Sequence, residues 1–319
     1  MSTITRKITI VGSGAIGATV AWSLLLRNAG IEVILVNRDG RKAWANAFDM
    51  SHCAPELPAR AIRAGTVEDS AGSDALVLTA GVLPRENGTR AEVLRDNVEV
   101  YRGMVPDLAE RSHSAVFLAV TNPVDAMAYA AWRLAGLPPG RVIASGTALD
   151  AMRLRGFAAE AYGLEARRVR IEVIGEHGDT MVPLWSRATY GSRPLAECLT
   201  ESGADFGDEA KAQLLQRTKR AGWDIRQAGE HSSYGIAFSA ARILEAVLGL
   251  TEERLDVSAP FAGEYGIERA FMSLPTRLGP GGILERDAPA LAEGELAALR
   301  ASAAAVRALM DEVDGLLGA

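Results

Sequence analysis

The chain has 319 residues, 48% of them hydrophobic and 23% charged, with a formal net charge of −6. That length accommodates a full hydrophobic core in one large unit or two joined domains, and the composition is that of a folded globular chain rather than a disordered one. The negative balance argues against a general phosphate-backbone binder, which needs clustered Lys and Arg, and no apolar run approaches the roughly 18 residues of a membrane helix, so neither nucleic acid nor a membrane is an expected partner.

The start, MSTITRKITIVGSG, passes from a few polar residues directly into a strand-like segment, with no room for a signal-peptide apolar region; a cytoplasmic location is expected. Residues 7–11 (KITIV) predict a buried strand, AIGATVAWSLLLRNAG a helix closed by Gly30 as its C-cap, and residues 32–36 a second strand. A helix over 40–51, a short strand over 60–65, a strand over 75–81, a helix over 91–111 and a strand over 115–123 follow. Near-continuous apolar strands alternating with helices indicate an α/β fold with a doubly wound parallel sheet covered on both faces.

From about residue 147 the regular alternation stops. A helix over 147–162, strands near 168–174, helices over 207–229 and 234–248, strands over 252–258 and 267–274 and a last helix over 290–317 suit an α+β unit closing over the first half. Cys53 and Cys198 show neither metal-ligand spacing nor a CxxC motif and read as ordinary packed thiols.

The motif Gly12-Ser-Gly14-Ala-Ile-Gly17 sits between a predicted strand and a predicted helix, the context that lifts GxGxxG above a chance match. Gly12 permits the tight turn, Gly14 lets a pyrophosphate approach the backbone, and Gly17 lets helix pack on strand; Ile16 joins them as a cofactor contact. This predicts a Rossmann-type dinucleotide-binding domain over residues 1–146, followed by a substrate-binding and catalytic domain over 147–319.

About twenty positions past the glycines such sites carry an acid that holds the adenosine ribose, but here Asn37 stands there, followed by Arg38. An amide does not repel a 2′-phosphate and a guanidinium can pair with one, so NAD(P) with NADP(H) favoured is the reading; the alternative is NAD(H), with Arg38 a solvated surface residue.

Further polar residues fall where a parallel-sheet protein keeps its site, beyond strand C-terminal ends. Asn122 follows one strand in AVTNPVD, His177 another in VIGEHGDTMVP, and Asp150 and Arg153 lie at i and i+3 of a helix in GTALDAMR. The ordered set GSGAIG, TAG, TNPVD, LDAMR and GEHGD, extended by YGIERAFMSLP near the C-terminus, resembles the L-lactate and malate dehydrogenase family over essentially the whole chain.

The resemblance implies an oxidoreductase moving a hydride between a nicotinamide cofactor and C2 of a small 2-hydroxy or 2-oxo acid, with a homodimer or homotetramer as its assembly and no metal. By that likeness His177 is the proton donor and acceptor at the C2 oxygen, Asp150 binds its far ring nitrogen, and Arg153 clamps the substrate carboxylate. Arg90 matches the mobile-loop residue that polarises the carbonyl, in GVLPRENGTRAEVLRDN. Asn122 would bind the substrate oxygen and the cofactor side of the site, Ser232 line the pocket, Ile236 back the nicotinamide, and Thr79, Ala80 and Gly81 border the adenosine half. His52 and His113 read as structural or surface residues, and His231 as a neighbour of the pocket mouth.

Substrate choice in that family follows one loop residue, typically Gln in lactate and Arg in malate enzymes. An ungapped match places Pro84 there, and a one-residue deletion before Arg90 places Arg85 there. Arg85 would favour malate and oxaloacetate, Pro84 lactate and pyruvate or a larger 2-oxo acid, and both stay open. A non-catalytic dinucleotide-binding or sensor protein of the same fold is the competing class, but it has no use for His177, Asp150, Arg90 and Arg153 together.

Overall fold

Chain order and sheet order diverge in this protein, whose computed structural model describes residues 6–28, 30–58, 61–82 and 90–318. The first half runs β1 (Arg6–Val11), α1 (Ala15–Arg27), β2 (Ile31–Val36), α2 (Gly40–Ser51), β3 (Ala61–Gly65), β4 (Ala75–Leu78), α3 (Arg90–Arg102), α4 (Val105–Arg111), β5 (Val116–Ala119), α5 (Val124–Ala135) and β6 (Val142–Ala144). The second half opens with α6 (Ala148–Tyr162), the short strands β7 (Val169–Arg170), β8 (Val173–Ile174), β9 (Val182–Pro183), β10 (Thr189–Tyr190) and β11 (Arg193–Pro194), and α7 (Leu195–Glu201). It ends with α8 (Asp208–Gln227), α9 (Tyr234–Val247), β12 (Arg254–Pro260), β13 (Phe271–Gly279), β14 (Gly282–Arg286) and α10 (Glu293–Leu317).

Nine strands form one sheet in the order β14-β13-β12-β6-β5-β4-β1-β2-β3. The six strands from β6 to β3 are parallel, the doubly wound Rossmann-type order, with β1 and β4 adjacent at the point where the winding reverses. Period-two alternation sends Ile34, Leu76 and Phe117 to a core under α3, α4, α5 and α10. Ile8, Leu35, Val77 and Leu118 face the opposite core, under α1, α2 and α9. A third core, built on Leu154, Val169, Leu195 and Leu214, belongs to α6, α7, α8 and the small sheets.

The second half therefore does more than close over the first. Its strands β12, β13 and β14 continue the first half's sheet in antiparallel fashion, joined to β6 through Ser258 opposite Ala144.

Several local expectations change. α1 stops at Arg27, and Asn28 leaves the helix in an extended conformation because its side-chain amide is taken by the Leu24 carbonyl and by Glu245; Gly30, with φ +73°, belongs to the turn before β2 and caps nothing. The helix expected over 91–111 is two, broken after Arg102, with α4 restarting on a proline in its first turn. α5, β6 and β14 were not foreseen. The expected strand over 267–274 lies later, at Phe271–Gly279, because residues 264–266 form a short turn of helix. Cys53 is exposed rather than packed, while Cys198 is half-buried. Among the described residues no helix is long and apolar enough to cross a membrane.

Candidate active site

The glycine turn follows from what each Cβ would meet. At Gly12, φ is +108° and a Cβ would lie 2.4 Å from the Ala80 amide nitrogen; at Gly17 it would lie 2.0 Å from the Gly12 carbonyl oxygen. Both positions demand glycine for the fold itself. Gly14 differs: no described atom lies within 4 Å of its Cβ position, so the bare backbone there faces open space at the first residue of the turn into α1. No side chain caps that helix end, which leaves its amide donors available to an anion. The turn thus fits a dinucleotide pyrophosphate, while Ile16 in the first turn of α1 is half-buried against the core.

Two substitutions separate these roles. Gly17→Ala is expected to cost about 1–3 kcal/mol of stability from backbone overlap. Gly14→Ala is expected to leave the thermal midpoint unchanged while weakening NADH binding about tenfold or more, since only the ligand's approach is blocked. Thermal unfolding with and without NADH checks both, and unchanged NADH affinity in Gly14→Ala would refute the cradle.

At the end of β2, Asn37 is held at both ends of its amide: Nδ2 donates to Ser13 Oγ at 3.0 Å and Oδ1 accepts the Asp39 amide at 3.0 Å. Arg38 beside it is exposed. Beyond β4, the Thr79 hydroxyl donates to the Gly12 carbonyl at 2.6 Å, and Ala80 and Gly81 follow, with Thr121 donating to the Ala80 carbonyl at 2.8 Å.

Asn122 is exposed after β5, and its carbonyl accepts from Asn97 Nδ2 at 2.9 Å. Pro84 and Arg85 lie outside the described residues. Arg90 is the first residue of α3, and its side chain likewise lies outside what is described.

The polar heart of the site is formed by two elements of the second half. Asp150 and Arg153 project from the first turns of α6, and the loop after β8 carries His177. His177 Nδ1 lies 2.5 Å from Asp150 Oδ2; an ionised carboxylate can only accept, so the proton resides on Nδ1. Among the described residues nothing hydrogen-bonds Nε2, and the ring is a quarter exposed while the Asp150 side chain is 1% exposed.

The charge of Asp150 pushes the imidazole up to about 9, against the opposing pull of burial; its hydrogen bond and the charge of Asp125 add, and Arg153 opposes. Arg153 is held flat by two contacts, Nη1 to Asp150 Oδ1 at 3.3 Å and Nη2 to Ser232 Oγ at 2.9 Å. Ser232 and the half-buried Ile236 come from the start of α9 and the turn before it. His231 is exposed there, and His52 and His113 are exposed elsewhere.

With this geometry in view, a family model described as the lactate/malate dehydrogenase NAD-binding domain matches residues 6–144, and one for the alpha/beta C-terminal domain matches residues 147–315. The chain belongs to the lactate/malate dehydrogenase family. That makes it one of the NAD-dependent 2-hydroxy acid dehydrogenases in class.

Among its relatives in the family, the L-lactate dehydrogenase of Gloeobacter violaceus is 36% identical over 307 residues, covering 96% of this chain and 93% of the relative. L-lactate dehydrogenase 1 of Staphylococcus aureus is 33% identical, with 98% of each chain covered. A solved lactate dehydrogenase from a Medee basin deep-sea metagenome library superposes with a TM-score of 0.92 at 30% identity, covering 98% of this chain and all of the other, 100%. The minor L-lactate dehydrogenase of Enterococcus mundtii in its ligands-bound form gives 0.91 at 29% identity, covering 97% and 98%.

Three residues at this family site escaped the sequence reading. Asn97, 1% exposed, accepts the Val82 amide at 2.7 Å as it holds Asn122, tying together the loops after β4 and β5. Gly222 of α8 passes so close to Arg153 that a Cβ would stand 3.8 Å from Nη2. Asp125 lies behind His177. Asp125 and Asn97 fall inside the quoted segments TNPVD and LRDN, but their residue types gave no signal beyond those motifs.

Proposed function

We propose that this chain interconverts a small L-2-hydroxy acid and its 2-oxo acid, with His177 as the proton donor and acceptor. The observation that carries the reading is the Asp150–His177–Arg153 arrangement: one ring nitrogen fixed on a buried carboxylate, the other without a hydrogen-bond partner among the described residues, and a guanidinium fork beside it.

The glycine turn would hold the pyrophosphate of a nicotinamide dinucleotide, which would supply or accept the hydride when bound. Arg153 pairs with the substrate carboxylate through its remaining N–H donors, and its planarity sets which face of C2 is presented. His177 donates the Nε2 proton to the C2 oxygen during reduction and takes it back during oxidation, while Asp150 stabilises the imidazolium. We assign Arg90 to polarising the carbonyl and Asn122, Ser232 and Ile236 to the pocket wall, with Thr79, Ala80 and Gly81 along the cofactor; these assignments rest on motif position. We assign residues 1–146 to cofactor binding and 147–319 to substrate binding and catalysis, with the pocket where the two meet.

For the substrate, the names of the relatives favour pyruvate and lactate, and Arg85 is the residue that favours oxaloacetate and malate instead. For the cofactor, Asn37 and Arg38 favour NADP(H) over NAD(H), because an amide at position 37 does not repel a 2′-phosphate and the neighbouring guanidinium can pair with one. Absorbance assays with NADH and NADPH against pyruvate, oxaloacetate and longer 2-oxo acids test all of this together. No turnover with any acid would leave only a binding protein, and comparable rates with the two cofactors, or a preference for NADH, would overturn the cofactor assignment.

The pH dependence has a definite sign. Reduction needs imidazolium, so its rate is expected to hold through neutral pH and fall as pH rises through about 9, whereas oxidation is expected to climb over the same range. Stability follows the same group. The pair's contribution is full below the ordinary histidine value of 6.5 and is lost as pH rises through about 9. Opposite slopes for the two directions, measured in one buffer series, check the assignment.

We also propose that the chain self-associates. Trp44 and Phe48 on α2, 58% and 50% exposed with rings stacked at 4.9 Å, form an exposed apolar patch, and Tyr234 of α9, 83% exposed, borders a surface pocket with Trp22 of α1 and Met50 of α2. Light scattering that returns the 33.8 kDa of one chain would exclude it.

A further inference from the structure

Behind His177 lies a set of buried polar side chains that the proton transfer does not use. Asp125, in the first turn of α5, is 3% exposed, and Ser258, Ser273 and Thr147 are fully buried. Asp125 Oδ2 accepts the His177 backbone N–H at 2.7 Å, and its Oδ1 accepts the Ser258 hydroxyl at 2.5 Å. Ser258 of β12 and Ser273 of β13 stand opposite each other in register, their hydroxyl oxygens 2.8 Å apart. A hydroxyl has one proton, and that of Ser258 goes to Asp125, so Ser273 donates to Ser258. Ser273 Oγ in turn accepts the backbone N–H of Thr147 at 3.0 Å. Thr147 is the N-cap residue of α6, three residues before Asp150.

The main chain repeats the same link. Gly175, two residues before His177, exchanges both backbone hydrogen bonds with Ser273, at 3.0 and 2.9 Å. Gly146, with φ +50°, approaches so closely that a Cβ would sit 2.3 Å from Ser273 Oγ. The donors run in one direction, from the start of α6 through two serines to one carboxylate, and that carboxylate also holds the histidine's own peptide.

We infer that Asp125 is a positioning residue: through its two oxygens it ties the His177 backbone to the start of α6, and so keeps the imidazole in register with Asp150 and Arg153. The inference deepens the dehydrogenase reading and rests on it for its kinetic consequence.

A buried carboxylate is an expensive way merely to fill space. Apolar side chains of similar volume pack a core at no desolvation cost, and burial pushes Asp125 up to about 6 in spite of the donors from Ser258 and His177. What the charge provides is an acceptor for two donors from separate elements, together with a second negative charge near the imidazole. The charged groups facing His177 are Asp150 and Arg153 on α6 and Asp125 on α5; those facing Asp125 are His177 and Glu176 of the loop.

The test uses the full chain with Asp125→Ala, Asp125→Asn and Ser258→Ala. The His177 imidazole is titrated by NMR without substrate, its signal assigned by its loss in His177→Gln. Steady-state constants are measured with the 2-oxo acid that the wild type turns over fastest. Asp125→Ala is expected to lower kcat about 10- to 100-fold, as displacements of about 1 Å do, with KM changed by no more than about threefold. Asp125→Asn restores the shape and an acceptor for the His177 N–H, so it should recover most of kcat. The imidazole midpoint should still move to lower pH, because the charge is gone.

If Asp125→Ala does not fold, Ser258→Ala carries the test, with a smaller kcat loss at unchanged KM. Unchanged kcat and midpoint in the Asp125 variants overturn the inference, as does Asp125→Asn being no better than Asp125→Ala with both following the thermal midpoint. Unchanged kcat in Ser258→Ala removes the serine link. A wild type that reduces no 2-oxo acid would end the dehydrogenase reading, while the NMR titration would still report whether Asp125 governs the imidazole.

Discussion

His177→Ala is expected to lower turnover about 100- to 10,000-fold in both directions, the usual contribution of a positioned acid–base group, while the NADH dissociation constant changes by about twofold or less. The separation follows from where the residue sits. The glycine turn and the ends of β1, β2 and β4 belong to the first half, whereas His177 stands on the loop after β8 and its hydrogen bonds go to Asp150 and Asp125.

The substitution also spares the loop itself. The backbone N–H of residue 177 still reaches Asp125, and the neighbouring Glu176 N–H still donates to Ser302 Oγ of α10 at 2.9 Å. Only the imidazole is lost, leaving Asp150 with Arg153 as its remaining partner. Fluorescence titration with NADH beside steady-state assays measures both quantities. Near-normal turnover would remove His177 from the chemistry, and a parallel loss of NADH affinity would mean that the variant had disturbed the crevice as a whole.

What the sequence made legible has a physical pattern. The glycine turn was readable because two of its three glycines answer a local steric demand, colliding with backbone if a Cβ is added. The Asp150–Arg153 pair was readable because helical spacing at i and i+3 brings the side chains together without any knowledge of the tertiary fold.

α5 was missed for the opposite reason. Its residues from Val124 to Ala131 are all buried, so this short, largely apolar run gives little local basis for telling a helix from a buried strand. β6, three residues long, offers too short a run. The joining of β12, β13 and β14 to the first half's sheet depends on pairings between residues more than a hundred positions apart, such as Ser258 with Ala144, which no local pattern encodes. The network behind His177 was hidden likewise: a serine on a strand is unremarkable until Ser258 and Ser273 are placed opposite one another beneath Asp125.

The second large effect is expected at Arg153. Truncation to Ala should lower kcat/KM for the preferred 2-oxo acid by about 30- to 4,000-fold, corresponding to about 2–5 kcal/mol for removing one partner of a buried, hydrogen-bonded charge pair. Arg153→Lys retains the charge but not the planar fork, and should recover only part of the loss, because a compact ammonium cannot meet Asp150, Ser232 and a carboxylate in one plane.

A further consequence separates clamping from simple disruption. Arg153 is a positive charge that opposes protonation of His177, so its removal should move the imidazole midpoint above about 9 and carry the fall in the reductive rate to still higher pH. A variant whose fold had merely loosened would expose the imidazole and weaken its Asp150 contact, moving the midpoint down toward the ordinary 6.5 instead. The direction of that movement, read from the pH profile of the residual activity, therefore decides whether the guanidinium acts as a clamp inside an intact Asp150–His177 pair or as a structural support for it.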